Sequence, residues 1–138
     1  MSAGYVLDDT VIHAHAFGDP NVSNLIAVLD SRDIRIAVPA LPLASSLIGL
    51  SDDQRAQVNG LVDNLDAIQI AALASTDDAN ELAEVAASGT EPIDLPAAHT
   101  VAVARYLDWE IITIDRSRWT EVEQRLPFRV SIVEFTDD

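Results

Sequence analysis

Two short apolar runs, far apart in the chain, each end on aspartate. Residues 5–7 lead into Asp8-Asp9-Thr10, and residues 111–114 lead into Asp115. If the two runs are neighbouring parallel strands, their carboxyl ends meet at one edge of a sheet, where open α/β folds bind ligands. Carboxylates that converge there repel one another unless a cation or a shared proton compensates. Because Mg2+ and Mn2+ prefer hard oxygen ligands, the pattern predicts a divalent-metal site on Asp8 and Asp115.

Capping of the following helix is an alternative role for each of these aspartates. Aspartate is favoured at helix N-caps, and a helix is predicted after both strands. Asp94 precedes Leu95-Pro96 and is placed to cap another helix. If it also faces the same sheet edge, it supplies a third carboxylate. The capping and metal interpretations both stay open at this point.

Strand-like and helix-like segments alternate along the chain, which predicts a three-layer α/β/α sandwich with a mainly parallel five-stranded sheet. The predicted strands are residues 4–8, 34–38, 67–73, 110–114 and 130–135. The predicted helices begin at Thr10 and near Asn21, cover 40–50, follow Ser51, cover 76–88, follow Asp94 and surround Trp119. The length of 138 residues fits a single domain, 1–138.

Composition excludes several classes of protein. The chain has no cysteine, so disulfides and thiolate metal sites are excluded, and a cytoplasmic protein is expected. No apolar run approaches the length of a membrane span, so no membrane association is expected. The motifs of zinc proteases, dinucleotide-binding folds and P-loop enzymes do not occur.

The net charge of −15 argues against general nucleic-acid binding, which needs a basic surface. All eight basic residues are arginine, and Arg116, Arg118, Arg125 and Arg129 fall in the last quarter of the chain. These four either form a local basic stripe or reflect the composition of a high-GC or salt-adapted genome.

The chain resembles the PIN domain, in particular VapC-like toxins of bacterial toxin–antitoxin pairs, over nearly its whole length. The resemblance rests on short motifs in matching order: Val6-Leu7-Asp8-Asp9-Thr10, Val38-Pro39, the stretch 97–104, and Ile112-Thr113-Ile114-Asp115 followed by Trp119. Members are typically endoribonucleases in which three or four acidic residues hold Mg2+ or Mn2+. The metal activates water for attack on an RNA phosphodiester.

The resemblance implies roles for eight residues. Asp8 and Asp115 match catalytic, metal-binding acids, and Asp94 lies one turn before the position of another, which here is Ala97. The supporting positions are Asp9, Thr10 and Ser45, the last standing where the family has a glutamate. Arg116 and Arg118 are expected to bind RNA phosphates.

Two functions follow from the resemblance and its departures. The first is a Mg2+- or Mn2+-dependent endoribonuclease of toxin–antitoxin type with an incomplete acidic site. The alternative is a catalytically inactive PIN-like module that binds or regulates another protein. The expected partners are an antitoxin-like protein, RNA if the site is active, and a second copy of the chain in a homodimer.

Overall fold

The structure is a computed structural model that describes residues 4–136. That range contains the strands β1 (Gly4–Leu7), β2 (Arg35–Pro39), β3 (Ile68–Ala71), β4 (Glu110–Thr113) and β5 (Ile132–Glu134). Its helices are α1 (Asp9–Ala16), α2 (Pro20–Ser31), α3 (Ala40–Leu47), α4 (Asp52–Asn64), α5 (Thr76–Ala86), α6 (Leu95–Leu107) and α7 (Ser117–Arg125). No helix within these residues has both the length and the apolar character needed to cross a membrane. The predicted domain, 1–138, includes three residues at the start and two at the end that lie outside the described range.

The sheet has the strand order β3-β2-β1-β4-β5, and every neighbouring pair is parallel. The first strand therefore lies at the centre, between β2 and β4. Leu7 is level with Ile112, and the backbone N–H of Asp8 donates to the Ile112 carbonyl over 3.3 Å. This register brings the residues that follow β1 and β4 to the same edge of the sheet.

Helices cover both faces of the sheet, which explains why the central strands are apolar almost throughout. One core contains Leu82 of α5, Val101 of α6 and Trp119 of α7. The other contains Ile12 of α1 and Ile26 of α2, together with Val58 of α4. The predicted three-layer α/β/α sandwich with a five-stranded parallel sheet is confirmed.

Several predicted boundaries extend beyond the observed elements. The helix predicted over 40–50 ends at Leu47, because the backbone of Ile48 is already extended and Gly49 follows it with a φ of +78°. The third strand stops at Ala71 instead of residue 73, and the last strand covers Ile132–Glu134 instead of 130–135. Each is an edge strand that ends level with the last residue of its single neighbour: Ala71 pairs with Pro39 of β2, and Glu134 pairs with Thr113 of β4.

A candidate carboxylate site at the sheet edge

Asp8 is fully buried, and both of its carboxylate oxygens are bound within the protein. It caps α1, where Oδ1 accepts from the Val11 backbone N–H over 3.1 Å and from the Thr10 hydroxyl over 2.6 Å. Oδ2 accepts from the indole N–H of Trp119 over 2.8 Å. The side chain has no exposed surface. The helix-capping role of Asp8 is therefore observed directly.

The pKa of the Asp8 carboxyl lies above its ordinary value. Burial raises this pKa, because the charged form loses its hydration, and this effect outweighs the hydrogen bonds from Thr10, Thr113, Trp119 and the Val11 backbone, which lower it. Burial thus favours the protonated acid.

Thr10 links the ends of the two central strands. Its hydroxyl lies 3.1 Å from the Thr113 hydroxyl and accepts from the Ile114 backbone N–H over 3.1 Å. The same hydroxyl donates to Asp8. Thr113 is also fully buried. The supporting role predicted for Thr10 corresponds in the structure to a polar bridge between the residues that follow β1 and β4.

Asp115, by contrast, is exposed. Its Oδ1 accepts from the backbone N–H of Ser117 over 3.1 Å and also from the Ser117 hydroxyl. The Ser117 hydroxyl is the main cause that holds the pKa of Asp115 below its usual range, and neighbouring backbone N–H groups and the charge of Arg118 add to it. Asp115 faces an open groove of about 400 Å3 whose wall includes Asp9, Thr10 and Ser45.

Arg118 lies between Asp9 and Asp94. Its Nη1 and Nη2 atoms each donate to one oxygen of Asp94 over 3.1 Å. Its Nε and Nη2 atoms lie 3.5 Å from the two oxygens of Asp9. Planar guanidinium groups match carboxylates in this two-pronged geometry. The positive group that pairs with the carboxylates at this edge of the sheet is therefore the guanidinium of Arg118.

The pairing with Arg118 changes the titration of Asp94. Partial burial raises the pKa of this carboxyl, but the hydrogen bonds and charge of Arg118 and the Ala97 backbone N–H lower it further, so the net pKa is below the ordinary value. The Ala97 bond, 2.9 Å long, is the N-cap bond of α6. Asp94 is thus both a helix cap and one side of the Arg118 ion pair.

These carboxylates do not fit a bound Mg2+ or Mn2+. Within residues 4–136, no three acidic or histidine side chains lie in positions that could hold a metal ion. Asp8 has no exposed oxygen, Asp9 and Asp94 are both paired with Arg118, and Asp115 is turned toward Ser117. The predicted metal site stays a prediction. Asp9 and Asp94 are joined at the sheet edge by their shared contacts with Arg118.

The remaining predicted residues are placed as follows. Ser45 is half-buried on α3 and lines the groove beside Asp115. Arg116 lies 2.5 Å from Glu123, and its backbone N–H donates to Glu134 over 2.8 Å. Both arginines expected to bind RNA are therefore paired with carboxylates of the chain.

Two residues of this network, Thr113 and Trp119, belong to a motif that carries the resemblance, but they were given no role at the site. Trp119 supplies the hydrogen bond to Asp8 from 111 positions away, and Thr113 joins Thr10 from 103 positions away. A buried tryptophan needs a partner for its N–H, so the apolar face of α7 was a usable signal. That this partner is Asp8 follows only from the structure.

No family model and no curated protein matches the sequence. Solved structures with a similar fold include the crystal structure of VapBC2 from Rickettsia felis, bound to a DNA fragment from the VapBC2 promoter. One of its chains is 14% identical, with a TM-score of 0.64 over 96% of this chain and 99% of that one. A chain of a toxin–antitoxin complex from Klebsiella pneumoniae is 16% identical, with a TM-score of 0.61 over 95% and 99%. A chain of FitAB bound to an IR36 DNA fragment is 13% identical, with a TM-score of 0.54 over 94% of each. At these identities the likeness establishes a shared fold, the α/β fold that the resemblance to PIN domains implies.

Proposed function

We propose that this protein is a catalytically inactive PIN-like module that binds a protein partner of antitoxin type. The observation that carries the proposal is the guanidinium of Arg118 between Asp9 and Asp94. A metal-dependent nuclease needs carboxylates that are free to bind an exchangeable ion. Here the positive charge beside Asp9 and Asp94 is the side chain of Arg118, which is part of the chain and not an exchangeable ion.

The electrostatics of the whole chain favour the same proposal. RNA would approach a molecule of net charge −15 in which Arg116 and Arg118 are already paired with Glu123, Asp9 and Asp94. Since affinity for a polyanion comes from arginines and lysines that neutralise phosphates, such a surface binds RNA poorly. A basic protein partner gains from the same charge through faster and more selective association.

The partner type is supported by the fold neighbours. The Klebsiella pneumoniae neighbour is part of a toxin–antitoxin complex, and the similarity covers almost the whole of both chains. An interaction with an antitoxin-like protein needs the shape of the fold and no metal chemistry. Loss of the acids at Ser45 and Ala97 is compatible with such a role.

The endoribonuclease of toxin–antitoxin type, with Mg2+ or Mn2+ on Asp8, Asp115 and Asp94, is the second candidate. The observation in its favour is the open groove that Asp115 and Ser45 share. In that function the fully buried Asp8 would have to become accessible to the metal while it keeps its bonds to Thr10 and Trp119. Arg118 would have to leave Asp94 as well.

Thermal unfolding in millimolar MnCl2 separates the two functions. Wild type and Asp8→Asn are compared with and without the metal, with Asp63→Asn as an exposed aspartate control on α4. A ligand that binds only the folded state raises its stability by RT ln(1 + [L]/Kd). We expect no manganese-dependent shift in any of the three proteins and no cleavage of a structured RNA. A shift in wild type that Asp8→Asn abolishes, together with manganese-dependent cleavage, would overturn the proposal.

A further inference from the structure

A groove of about 390 Å3 runs beside the edge strand β3, on the sheet face that carries α5 and α6. It is separate from the carboxylate site at the ends of β1 and β4. Its lining includes Leu82 of α5 and Val103 of α6, together with Gln69 of β3 and Leu73 beyond the end of that strand. No function has been assigned above to this part of the surface.

Apolar side chains are unusually exposed here. Leu73 is 37% exposed and Tyr106 80%, and both line the groove. Ile70 borders the groove at the sheet edge, but its side chain follows Ile68 and Val38 toward the other face of the sheet. Single exposed hydrophobic residues are common on proteins, but two beside one concave surface indicate a contact site.

The edge strand beside the groove is open to pairing. Within residues 4–136, β3 pairs with β2 on one side only, and its sequence Ile-Gln-Ile-Ala carries no charge and no proline. The N–H of Ile36 on β2 donates to the Ala67 carbonyl over 2.9 Å. Because successive residues of a strand turn their peptide groups to opposite sides, those of Ile70 face the free edge. Proteins usually protect such an edge with charges, proline or a covering segment.

The rim of the groove is acidic. Asp78 and Glu81 of α5 line it, and Asp77 and Glu84 lie close by on the same helix. Among residues 4–136, no arginine forms an ion pair with any of these four carboxylates. Arg105, which lies near them, packs over the ring of Phe128 at 3.8 Å. The negative charge at this rim is therefore available to a partner.

His99 adds a buried hydrogen-bonding group to the wall. It is 3% exposed, and its Nδ1 accepts from the Leu41 backbone N–H over 3.2 Å. Since Nδ1 is the acceptor, the neutral ring carries its proton on Nε2. Burial lowers the pKa of His99, although the charge of Asp78 raises it, so the ring is neutral near pH 7. Its Nε2–H has no hydrogen-bond partner within the described residues and can donate to a carbonyl in the groove.

We propose that this groove binds an extended, basic and apolar segment of a partner protein, which adds as a strand to the free edge of β3. Apolar side chains of the segment cover Leu73 and Tyr106, and its arginine or lysine side chains pair with Asp78 and Glu81. Backbone pairing at an exposed sheet edge is a general mode of peptide recognition. This inference rests on the proposed protein-binding function and names the surface and the chemistry of the partner.

Charge distinguishes this occupant from a second copy of the chain. Two copies paired through β3 would bring their α5 carboxylates toward each other, and each copy carries a net charge of −15. Like charges at an interface oppose association unless cations separate them. A basic segment removes that repulsion and replaces it with ion pairs.

Fluorescence anisotropy with a short labelled peptide that alternates valine and arginine tests the inference, and the same peptide with glutamate in place of arginine is the probe control. We expect saturable binding of the basic peptide to the full chain and none of the acidic one. Glu81→Arg should weaken binding by about tenfold or more. Asp63→Arg makes the same charge change on α4, on the opposite face of the sheet, and should leave the affinity within about twofold.

Ile70→Pro tests strand addition itself. It removes an N–H that faces the free edge and leaves the β2–β3 hydrogen bonds in place. We expect a loss of binding comparable to that of Glu81→Arg, with an unchanged far-UV circular dichroism spectrum. Equal binding to wild type and all three variants would overturn the inference, as would self-association of wild type that Ile70→Pro abolishes. Manganese-dependent RNA cleavage would contradict the proposed function alone, because the peptide titration does not depend on it.

Discussion

The indole N–H of Trp119 donates to the carboxylate of Asp8 over 2.8 Å, and both side chains are fully buried. This bond joins the end of the first strand to a helix near the other end of the chain. It uses the Asp8 oxygen that the Thr10 and Val11 bonds leave open. Trp119 therefore completes the hydrogen bonding of an acid that water does not reach.

Trp119→Phe should destabilise the protein by about 1–3 kcal/mol, because it leaves one oxygen of a buried acid without a donor. Trp109→Phe is the matched control, since Trp109 is only partly buried and its indole N–H forms no hydrogen bond within residues 4–136. Urea unfolding followed by circular dichroism measures both. If the free energy of unfolding falls equally in the two variants, the decrease comes from lost packing volume and not from the bond to Asp8.

Asp8→Asn should change the pH dependence of stability. The raised pKa means that the folded state holds the Asp8 proton more tightly than the unfolded state does. Wild type therefore loses stability as the pH rises from about 4 through the folded pKa, and a group that cannot ionise removes this slope. We expect the free energy of unfolding of Asp8→Asn, relative to wild type, to increase with pH in that window.

The other perturbed carboxyls act in the opposite direction. The pKa values of Asp94 and Asp115 are lowered, so the stability they contribute is lost below about pH 4 as they take up protons. His99, whose pKa is lowered by burial, also makes stability depend on pH below about 6.5. Because wild type and Asp8→Asn share this dependence, the difference between them above pH 4 isolates Asp8. A relative free energy that stays flat across this window would show that Asp8 titrates alike in both states.

Arg118→Gln should create a dependence on divalent cations that wild type lacks. The variant leaves Asp9 and Asp94 side by side without their guanidinium, at a cost of about 1 kcal/mol because both carboxylates are partly exposed. Two carboxylates and water suffice for a weak Mg2+ or Mn2+ site. Millimolar MnCl2 should raise the melting temperature of the variant by about 2–4 °C.

Arg125→Gln is the control for Arg118→Gln. Arg125 pairs with Glu91 and Glu121, whose side chains are 68% and 72% exposed, so its loss should cost less than about 0.5 kcal/mol. Neither wild type nor Arg125→Gln should respond to manganese. If Arg118→Gln also fails to respond, the two acids separate once the arginine is removed.

Gly89→Ala should destabilise the protein by about 2–4 kcal/mol. A Cβ at this position would lie 1.6 Å from the carbonyl oxygen of Arg125, so the backbone of α7 would have to move. Gly60→Ala is the opposite case, because its Cβ would meet only the Asn64 side chain at 3.6 Å. On helix α4 that change should stabilise by about 0.5–1 kcal/mol. Thermal unfolding of the two variants should give shifts of opposite sign.

The fold could be predicted because its signals are local. The apolar runs before Asp8 and Asp115 and the pattern before Pro39 each identify a strand without reference to the rest of the chain. The capping box at Ser51, with Gln54, is likewise present as the spacing predicts. The edge strands were predicted too long, since their ends depend on where a neighbouring strand stops.

The site was less accessible to sequence reasoning. Asp8, Asp9, Asp94 and Asp115 were identified by type and position, yet whether acids share a metal depends on what lies between them. Arg118 is 109 positions from Asp9 and 24 from Asp94, so no local pattern indicates that one guanidinium contacts both. The sequence suggested phosphate for this arginine, and the structure pairs it with carboxylates.

The central position of β1 has a consequence for how the chain is made. β1 is synthesised well before one of its two neighbours, β4, which begins only at residue 110. Until that strand leaves the ribosome, the nascent chain carries an apolar strand with one side unpaired, and Asp8 lacks its tryptophan. Chains whose key contacts are far apart in sequence fold slowly and expose such surfaces for longer. Residues through Thr113 therefore have to leave the ribosome before the central strand is paired on both sides, and a fragment that ends before residue 110 exposes one side of that strand.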